Sequence, residues 1–309
     1  MKYFKMKDQC KDYDEYYLKF KNGEQTRFMR LIKEKNFYSW DKLAKFLGVS
    51  RGMIFLYLSE KSKLPKSYFE KMIKTSNFYP NDFKFKIVPY LTNGIAKIPN
   101  KLTAKLSEFV GIMLGDGNIN TVNYQITISG SSVDGPYITE HIPKLIRNLF
   151  SKQASFIKTS NKGLACRFSA KKVCNFLISD MKISSPKKES VIPKEFFKNN
   201  HLLKSCIRGL FDTDGGLHRH HKNSAQLQFT NKSYLLIQSL RKALIQLGFK
   251  PSEIVLYSKN RSVFQLYLFD QEVKKYFKKI GSSNPKNNFK FKIWIKKGVM
   301  PLNREISVA

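Results

Sequence analysis

The sequence predicts an α+β protein in which an αββαββα-like unit occurs twice, preceded by an all-α segment. Three observations carry this. An apolar run ending in Asp-Gly spans Leu106 to Gly117 and returns at Cys206 to Gly215. Each run is followed by the same succession of alternating and helical stretches, and a succession repeated at matching spacing marks an internal repeat. Residues from about 13 to 73 show helical rather than alternating periodicity.

The 309 residues, 42% hydrophobic and 14% aromatic, suffice for two or three packed domains. Fifty-six Lys and Arg against 23 Asp and Glu leave a net charge of +33. That excess is far more than solubility needs and implies a polyanionic partner, nucleic acid first. AT-rich coding explains part of the lysine count but not the scarcity of acids. Cys10, Cys166, Cys174 and Cys206 form no CxxC pair and no metal-ligand spacing, which predicts free thiols in a reducing compartment. The start has no apolar signal core, and no run reaches the roughly 18 apolar residues of a membrane span, so a cytoplasmic protein is expected.

Along the chain, the periodicity predicts a helix from Tyr13 to Lys33. Leu43, Ala44 and Leu47 then recur at helical spacing, Gly48 breaks the helix, and Ser50 can cap a second one whose inward face is Ile54, Tyr57 and Leu58. This stretch resembles the phage-repressor type of helix-turn-helix, with Leu64 to Ile73 as a further helix. The resemblance implies DNA contacts from Arg51, Gly52, Met53 and Phe55 at the start of the recognition helix, Arg51 reaching a phosphate or a guanine edge. A small helical bundle without that role is the alternative. Pro80, Pro89, Asn93-Gly94 and Pro99 make Phe78 to Asn100 irregular. The boundary falls there, giving a helical domain at 1–92, units at 100–198 and 199–300, and a tail at 301–309.

In the first unit the Asp116-Gly117 helix is followed by a strand at Tyr124 to Ser129, a break over Gly130 to Gly135, and a helix from Ile138 to Phe150. Strands at Ser155 to Thr159 and Leu164 to Ser169 and a helix from Lys171 to Met181 complete it. The second unit repeats the order with a strand at Ala225 to Thr230, a helix at Ser233 to Leu247, strands at Ile254 to Tyr257 and Val263 to Leu268, and a helix at Gln271 to Ile280. Even the exits match: Ile183 to Lys188 and Gly281 to Lys286 both carry Ser-Ser, Pro and Lys. In each Asp-Gly helix, small residues four apart share one face, Gly111 with Gly115 and Gly209 with Thr213. Two such stripes can pack backbone to backbone and carry Asp116 and Asp214 side by side, an arrangement suited to a divalent cation.

The stretches GIMLGDG (Gly111 to Gly117) and RGLFDTDG (Arg208 to Gly215) resemble the paired motifs of the LAGLIDADG homing endonucleases, in the monomeric two-motif (DOD) form. The first departs from the consensus at Leu114 and Gly115; the second is close to it. The resemblance covers about residues 100–300. It implies two pseudo-twofold-related subdomains forming a DNA-binding saddle, and a site-specific endonuclease for double-stranded DNA that acts as a monomer. It also implies Mg²⁺ or Mn²⁺ at Asp116 and Asp214, completed by the backbone carbonyls of Gly115 and Thr213. A lysine near each site is implied too; Lys187 and Lys286 occupy matching places, with Lys188 competing with Lys187.

The DNA face is expected to consist of the polar members of each alternating strand: Gln125, Thr127, Ser129, Lys158, Arg167, Ser169, Gln226, Gln228, Thr230, Tyr257, Gln265 and Tyr267. Lys259 and Arg261 at the rim suit phosphates. Asp212, two residues from Asp214, points elsewhere on the helix and is expected to be structural or solvated. His218, His220 and His221 lack a Cys or acid to complete a zinc site and are expected to contact DNA or solvent. Met1 and the Ile306 to Ala309 end, without a His-Asn splicing end, predict a free-standing rather than intein-embedded form. Two other functions stay open: a non-cleaving transcription regulator of the same fold, and a maturase that binds intron RNA.

Overall fold

A computed structural model describes residues 16–76, 83–89, 96–159, 163–184, 189–221, 224–258 and 262–301. The chain divides between Ile95 and Ala96 into two compact units.

The smaller unit is not all-α. Its elements are strand β1 (Tyr16–Phe20), helices α1 (Glu24–Ile32), α2 (Trp40–Leu47) and α3 (Arg51–Leu58), strand β2 (Leu64–Pro65), helix α4 (Lys66–Ser76) and strand β3 (Phe85–Pro89). The strands form an antiparallel sheet in the order β2-β1-β3, with Tyr16 opposite Pro89 and Phe20 opposite Phe85. The helix expected from Tyr13 to Lys33 is therefore a strand and a helix separated by a turn, with Gly23 at φ 81°. Its aromatic and leucine positions satisfy either period, and the aromatic-rich Tyr-Tyr-Leu-Lys-Phe run favours a strand once β3 supplies a partner. Buried Leu18, Phe28, Met29, Ile54, Phe69 and Met72 fill the core.

The α2–turn–α3 pair forms as its sequence signals suggest. Ser39 Oγ accepts from Lys42 N at 3.2 Å, Gly48 takes the left-handed conformation that ends α2, and Ser50 Oγ accepts from Met53 N at 3.2 Å. Ile54 and Tyr57 face inward, and Leu58 packs partly against them.

The larger unit contains the two copies. The first runs α5 (Ala104–Leu114), β4 (Gly117–Asn120), β5 (Gln125–Ser131), α6 (Ile142–Phe150), β6 (Ser155–Thr159), β7 (Gly163–Ser169) and α7 (Lys171–Ser179). The second runs α8 (Asn200–Asp214), β8 (Gly215–Arg219), β9 (Ala225–Asn231), α9 (Tyr234–Gln246), β10 (Val255–Ser258), β11 (Val263–Phe269) and α10 (Gln271–Lys279). The sheets have the same order, β4-β5-β7-β6 and β8-β9-β11-β10, with every neighbouring pair antiparallel. Ile126, Ile128 and Phe168 are buried beneath the first sheet, Leu227, Phe229 and Leu266 beneath the second.

Besides the strands of the smaller unit, β4, β8 and a helix after the second copy were not anticipated. The short strands β4 and β8 each show only one buried apolar residue, Ile119 and Leu217, too little for alternation to register. Helix α11 (Pro285–Lys297) follows the second exit, with Asn284 Oδ1 accepting from Lys286 N at 3.0 Å and Pro285 in its first turn. The Pro and Lys that end the second exit are thus the first residues of a helix. Cys166, Cys174 and Cys206 are free and buried, whereas Cys10 lies outside the described residues. Among the described residues no helix is long and apolar enough to cross a membrane.

Candidate nucleic-acid interface and paired acids

Helices α5 and α8 pack at backbone distance. A Cβ added to Gly111 would stand 2.9 Å from both Cys206 C and Leu210 N; one added to Gly209 would stand 3.0 Å from both Glu108 C and Ile112 N. The contact is reciprocal, as a pseudo-twofold axis requires. One turn on, a Cβ at Gly115 would lie 2.8 Å from Thr213 Cβ and 3.3 Å from Asp214 Cγ. The glycine thus keeps open the space where the two helix ends meet, beside one carboxylate and one residue before the other.

The two acids are set differently. Asp116 is exposed, whereas Asp214 is half-buried and its Oδ2 accepts from Asn231 Nδ2. Gly117 pairs with Ile128 and Gly215 with Phe229, so the counterpart of Asn231 in the first copy is Gly130, which has no side-chain amide. Asn231 was missed in the sequence because it lies at the last position of β9, beyond the expected strand.

Behind the acids lies a buried polar layer. Glu108 accepts from Arg208 Nη2 at 2.6 Å and lies 2.8 Å from His141 Nε2. Burial acts to raise its pKa, but the His141 hydrogen bond and the Arg208 charge prevail and bring it down to about 2. Asp212 is buried and accepts from Ser282 Oγ, from Ser283 N at 2.7 Å and from Asn287 Nδ2 at 3.3 Å. Burial nevertheless pushes it up to about 7. Its role is to anchor the α10–α11 connection, in line with its expected direction away from Asp214.

Lys286 reaches across to the first copy, where its Nζ pairs with Asp134 Oδ1 at 2.5 Å. Asn284 Nδ2 donates to the same carboxylate oxygen at 2.8 Å. Burial opposes ionisation of Asp134, but Lys286 and these hydrogen bonds hold its pKa below the ordinary carboxylate value. Lys290, one helical turn on, is buried with Nζ 3.3 Å from Leu217 O; burial and the neighbouring Lys286 charge lower its pKa to about 8. Lys187 and Lys188 lie outside the described residues, so the matching exit lysine of the first copy has no position here.

His218 lies on β8, and a Cβ at Gly216 would be 3.1 Å from its Cδ2. His218 is exposed as a residue, yet desolvation of its ring, with the charges of Lys290 and Lys286, lowers its pKa. His220 and His221 are exposed, and the His220 ring lies 4.9 Å from Phe269. Among the described residues no three His, Cys, Asp or Glu side chains gather as a metal-binding group. The charged oxygens at the helix ends are therefore those of Asp116 and Asp214, with the carbonyls of Gly115 and Thr213 as neighbours. Carboxylate and carbonyl oxygens suit a hard divalent cation that keeps water or phosphate oxygens in its remaining positions.

The strand registers place most of the expected polar row on two faces. Gln125 lies opposite Ser169, and Thr127 opposite Arg167. Gln226 pairs with Phe269, Gln228 with Tyr267 and Thr230 with Gln265. Ser129 follows on the first face and is exposed, and Asn118, opposite Thr127, joins it. Two residues depart from expectation. Lys158 pairs with Leu164, which puts it on the opposite face from Arg167; β6 is an edge strand, so a lysine on its apolar side still reaches solvent. Gln265 is 4% exposed because neighbouring side chains cover it. Tyr257 is exposed at a bulge, and Lys259 and Arg261 lie outside the described residues. In the smaller unit Arg51, Gly52 and Phe55 are exposed and Met53 is partly covered; Arg51 pairs with Asp41 at 3.4 Å and sits over the Phe55 ring.

Residues 202–281 match the LAGLIDADG-like domain. No curated protein matches the chain. Solved structures similar to it include mesophilic variants of the homing endonuclease I-DmoI, at 18% identity over 58% of this chain and 96% of that one, with a TM-score of 0.47. I-DmoI in complex with DNA and Mn is similar at 18% identity over 59% of this chain and 99% of that one, TM-score 0.45. Full-length DUF199/WhiA from Thermatoga maritima is similar at 18% identity over 69% of this chain and 67% of that one, TM-score 0.45.

Proposed function

We propose that this chain, which carries a LAGLIDADG-like domain at residues 202–281, is a site-specific endonuclease for double-stranded DNA. The observation that supports this best is the meeting of α5 and α8 at Gly115 and Thr213, with an acid at the end of each helix in a chain of net charge +33. The polar sheet faces would lie along the duplex, where alternating Gln, Thr, Arg and Asn side chains meet base edges. The α2–α3 pair of the smaller unit, with Arg51 exposed, would add contacts to the DNA backbone.

In this reading Asp116, Asp214 and the carbonyls of Gly115 and Thr213 hold Mg²⁺ or Mn²⁺. The metal, when bound, activates a water and stabilises the leaving oxygen of the cut phosphodiester. Asn231 orients Asp214 through its amide. Lys286, tied to Asp134, would polarise the attacking water or stabilise the charge that develops on the phosphate.

The test is a cleavage assay on duplex spanning the junction where the gene is inserted, with Mg²⁺ titrated and binding measured in parallel. Wild type is expected to cut both strands. Asp116→Asn or Asp214→Asn is expected to abolish the double-strand cut while binding persists. A double variant that cuts at the wild-type rate refutes the site. Wild-type binding without cutting refutes the nuclease in favour of a non-cleaving regulator, and preference for intron RNA over duplex DNA favours a maturase.

A further inference from the structure

Because the two sheets share strand order and register, their polar faces can be compared position by position. Gln125 corresponds to Gln226, since each lies three residues before the partner of the motif glycine. Across the next strand, Gln125 faces Ser169 and Gln226 faces Phe269; Thr127 faces Arg167 and Gln228 faces Tyr267; Ser129 faces Ala165 and Thr230 faces Gln265. Where the first sheet carries Arg167 and Ser169, the second therefore carries Tyr267 and Phe269.

On the second face Gln228, Thr230, Gln265 and Tyr267 turn their polar atoms on one another. Gln228 Nε2 donates to Thr230 Oγ1 at 2.8 Å, Gln265 Nε2 to the same oxygen at 3.3 Å, and the Tyr267 hydroxyl to Gln265 Oε1. Breaking such a partly buried network to reach a base would leave its members unpaired. Beside Gln226 and His218 at its end, what the face offers outward is ring surface. Tyr267 and Phe269 stack at 5.8 Å with 21° between planes, His220 closes the row, and Phe269 is 37% exposed. On the first face Arg167 presents a guanidinium whose Nε lies 3.4 Å from Ser155 Oγ, among Gln, Thr and Asn side chains that can pair with base edges.

We propose that the two half-sites of the DNA are read by different chemistry: the first sheet by hydrogen bonds centred on Arg167, the second by apolar contact of Tyr267 and Phe269 with thymine 5-methyl groups. Hydrogen bonds to base edges and apolar contact with the thymine methyl are the two means of direct readout in the major groove. Gln265, bonded to Thr230, holds Tyr267 in place, and Phe269 stacks on Tyr267. This inference rests on the reading of the sheets as a duplex-binding surface and deepens it.

The full chain is to be selected against a library of randomised duplexes by binding alone, and the enriched duplex resynthesised with uracil for thymine in one half at a time. Uracil in one half is expected to weaken binding about fourfold for each methyl lost from contact, and to have little effect in the other. Phe269→Ala should abolish that uracil effect, Phe269→Leu should retain most of it, and Arg167→Ala should relax base preference only in the other half. Equal uracil effects in both halves, no effect in either, or an effect unchanged in both Phe269→Ala and Tyr267→Ala overturns the inference. A selection that enriches no sequence overturns the duplex-binding reading itself, a separate outcome.

Discussion

Substituting Gly209 by Ala tests the packing on which the acid pair depends. The added methyl would lie 3.0 Å from Glu108 C and from Ile112 N, and nearer still to the Glu108 carbonyl oxygen. Carbon atoms rest at about 3.5–4.0 Å, so the helices must part by roughly half an ångström or more. The atoms in the way are backbone, which has no rotamer to change. Overpacking of this kind costs about 1–3 kcal/mol, and this site belongs at the upper end. For a unit of this size that lowers the melting temperature by roughly 4–10 °C. The matched control is Gly135→Ala, where the new methyl meets nothing within 4 Å and the backbone is already helical. Thermal unfolding followed by far-UV circular dichroism reads both. Equal melting temperatures for the two variants would refute the close approach of α5 and α8. In the proposed nuclease the same displacement spreads the acids, and cleavage should fall about 100-fold at temperatures where the variant stays folded.

Two buried acids give opposite pH signatures. Glu108, held at about 2, stabilises the fold fully above pH 4.5 and loses that contribution as pH falls toward 2. Glu108→Gln should lower stability at pH 7 by a few kcal/mol, with the gap to wild type narrowing between pH 5 and pH 3 in urea titrations; a gap independent of pH refutes the ionised Glu108–Arg208 pair. Asp212, raised to about 7, binds its proton more tightly folded than unfolded, so its contribution is largest at low pH and declines as pH rises through 7. Asp212→Asn should flatten the decline of stability between about pH 4 and pH 7, and a slope identical to wild type over that window counts against a buried, protonatable Asp212.

The repeat was legible because apolar alternation and the Gly-spaced helices are local patterns, and three of the four strands in each sheet are ones the alternation marks. Helix contact at Gly111 and Gly209 followed from spacing alone, since residues four apart must share a face. What escaped were features set by partners distant in sequence. Tyr16 to Phe20 becomes a strand only because Phe85 to Pro89 lies beside it. Asn231 matters only because β9 ends next to Asp214, and Gln265 is buried only because Tyr267 and Thr230 close over it. Phe269, by contrast, stood in plain view: extending the Gln265, Tyr267 alternation by one step reaches it. Lys158 shows the limit of such counting, since a pairing register decides the face and β6 is joined to β7 by residues whose length alone does not fix it.

The ties from Asn284 and Lys286 to Asp134 bear on how this chain can be rebuilt. A segment that follows the second copy is anchored by a carboxylate of the first, so the halves are not interchangeable modules. A hybrid that replaced residues 100–198 with another such unit would strand a lysine and an amide unless the incoming turn brought its own acceptor at the place of Asp134. Recombination between halves is thereby constrained at a point far in sequence from the helices that join them.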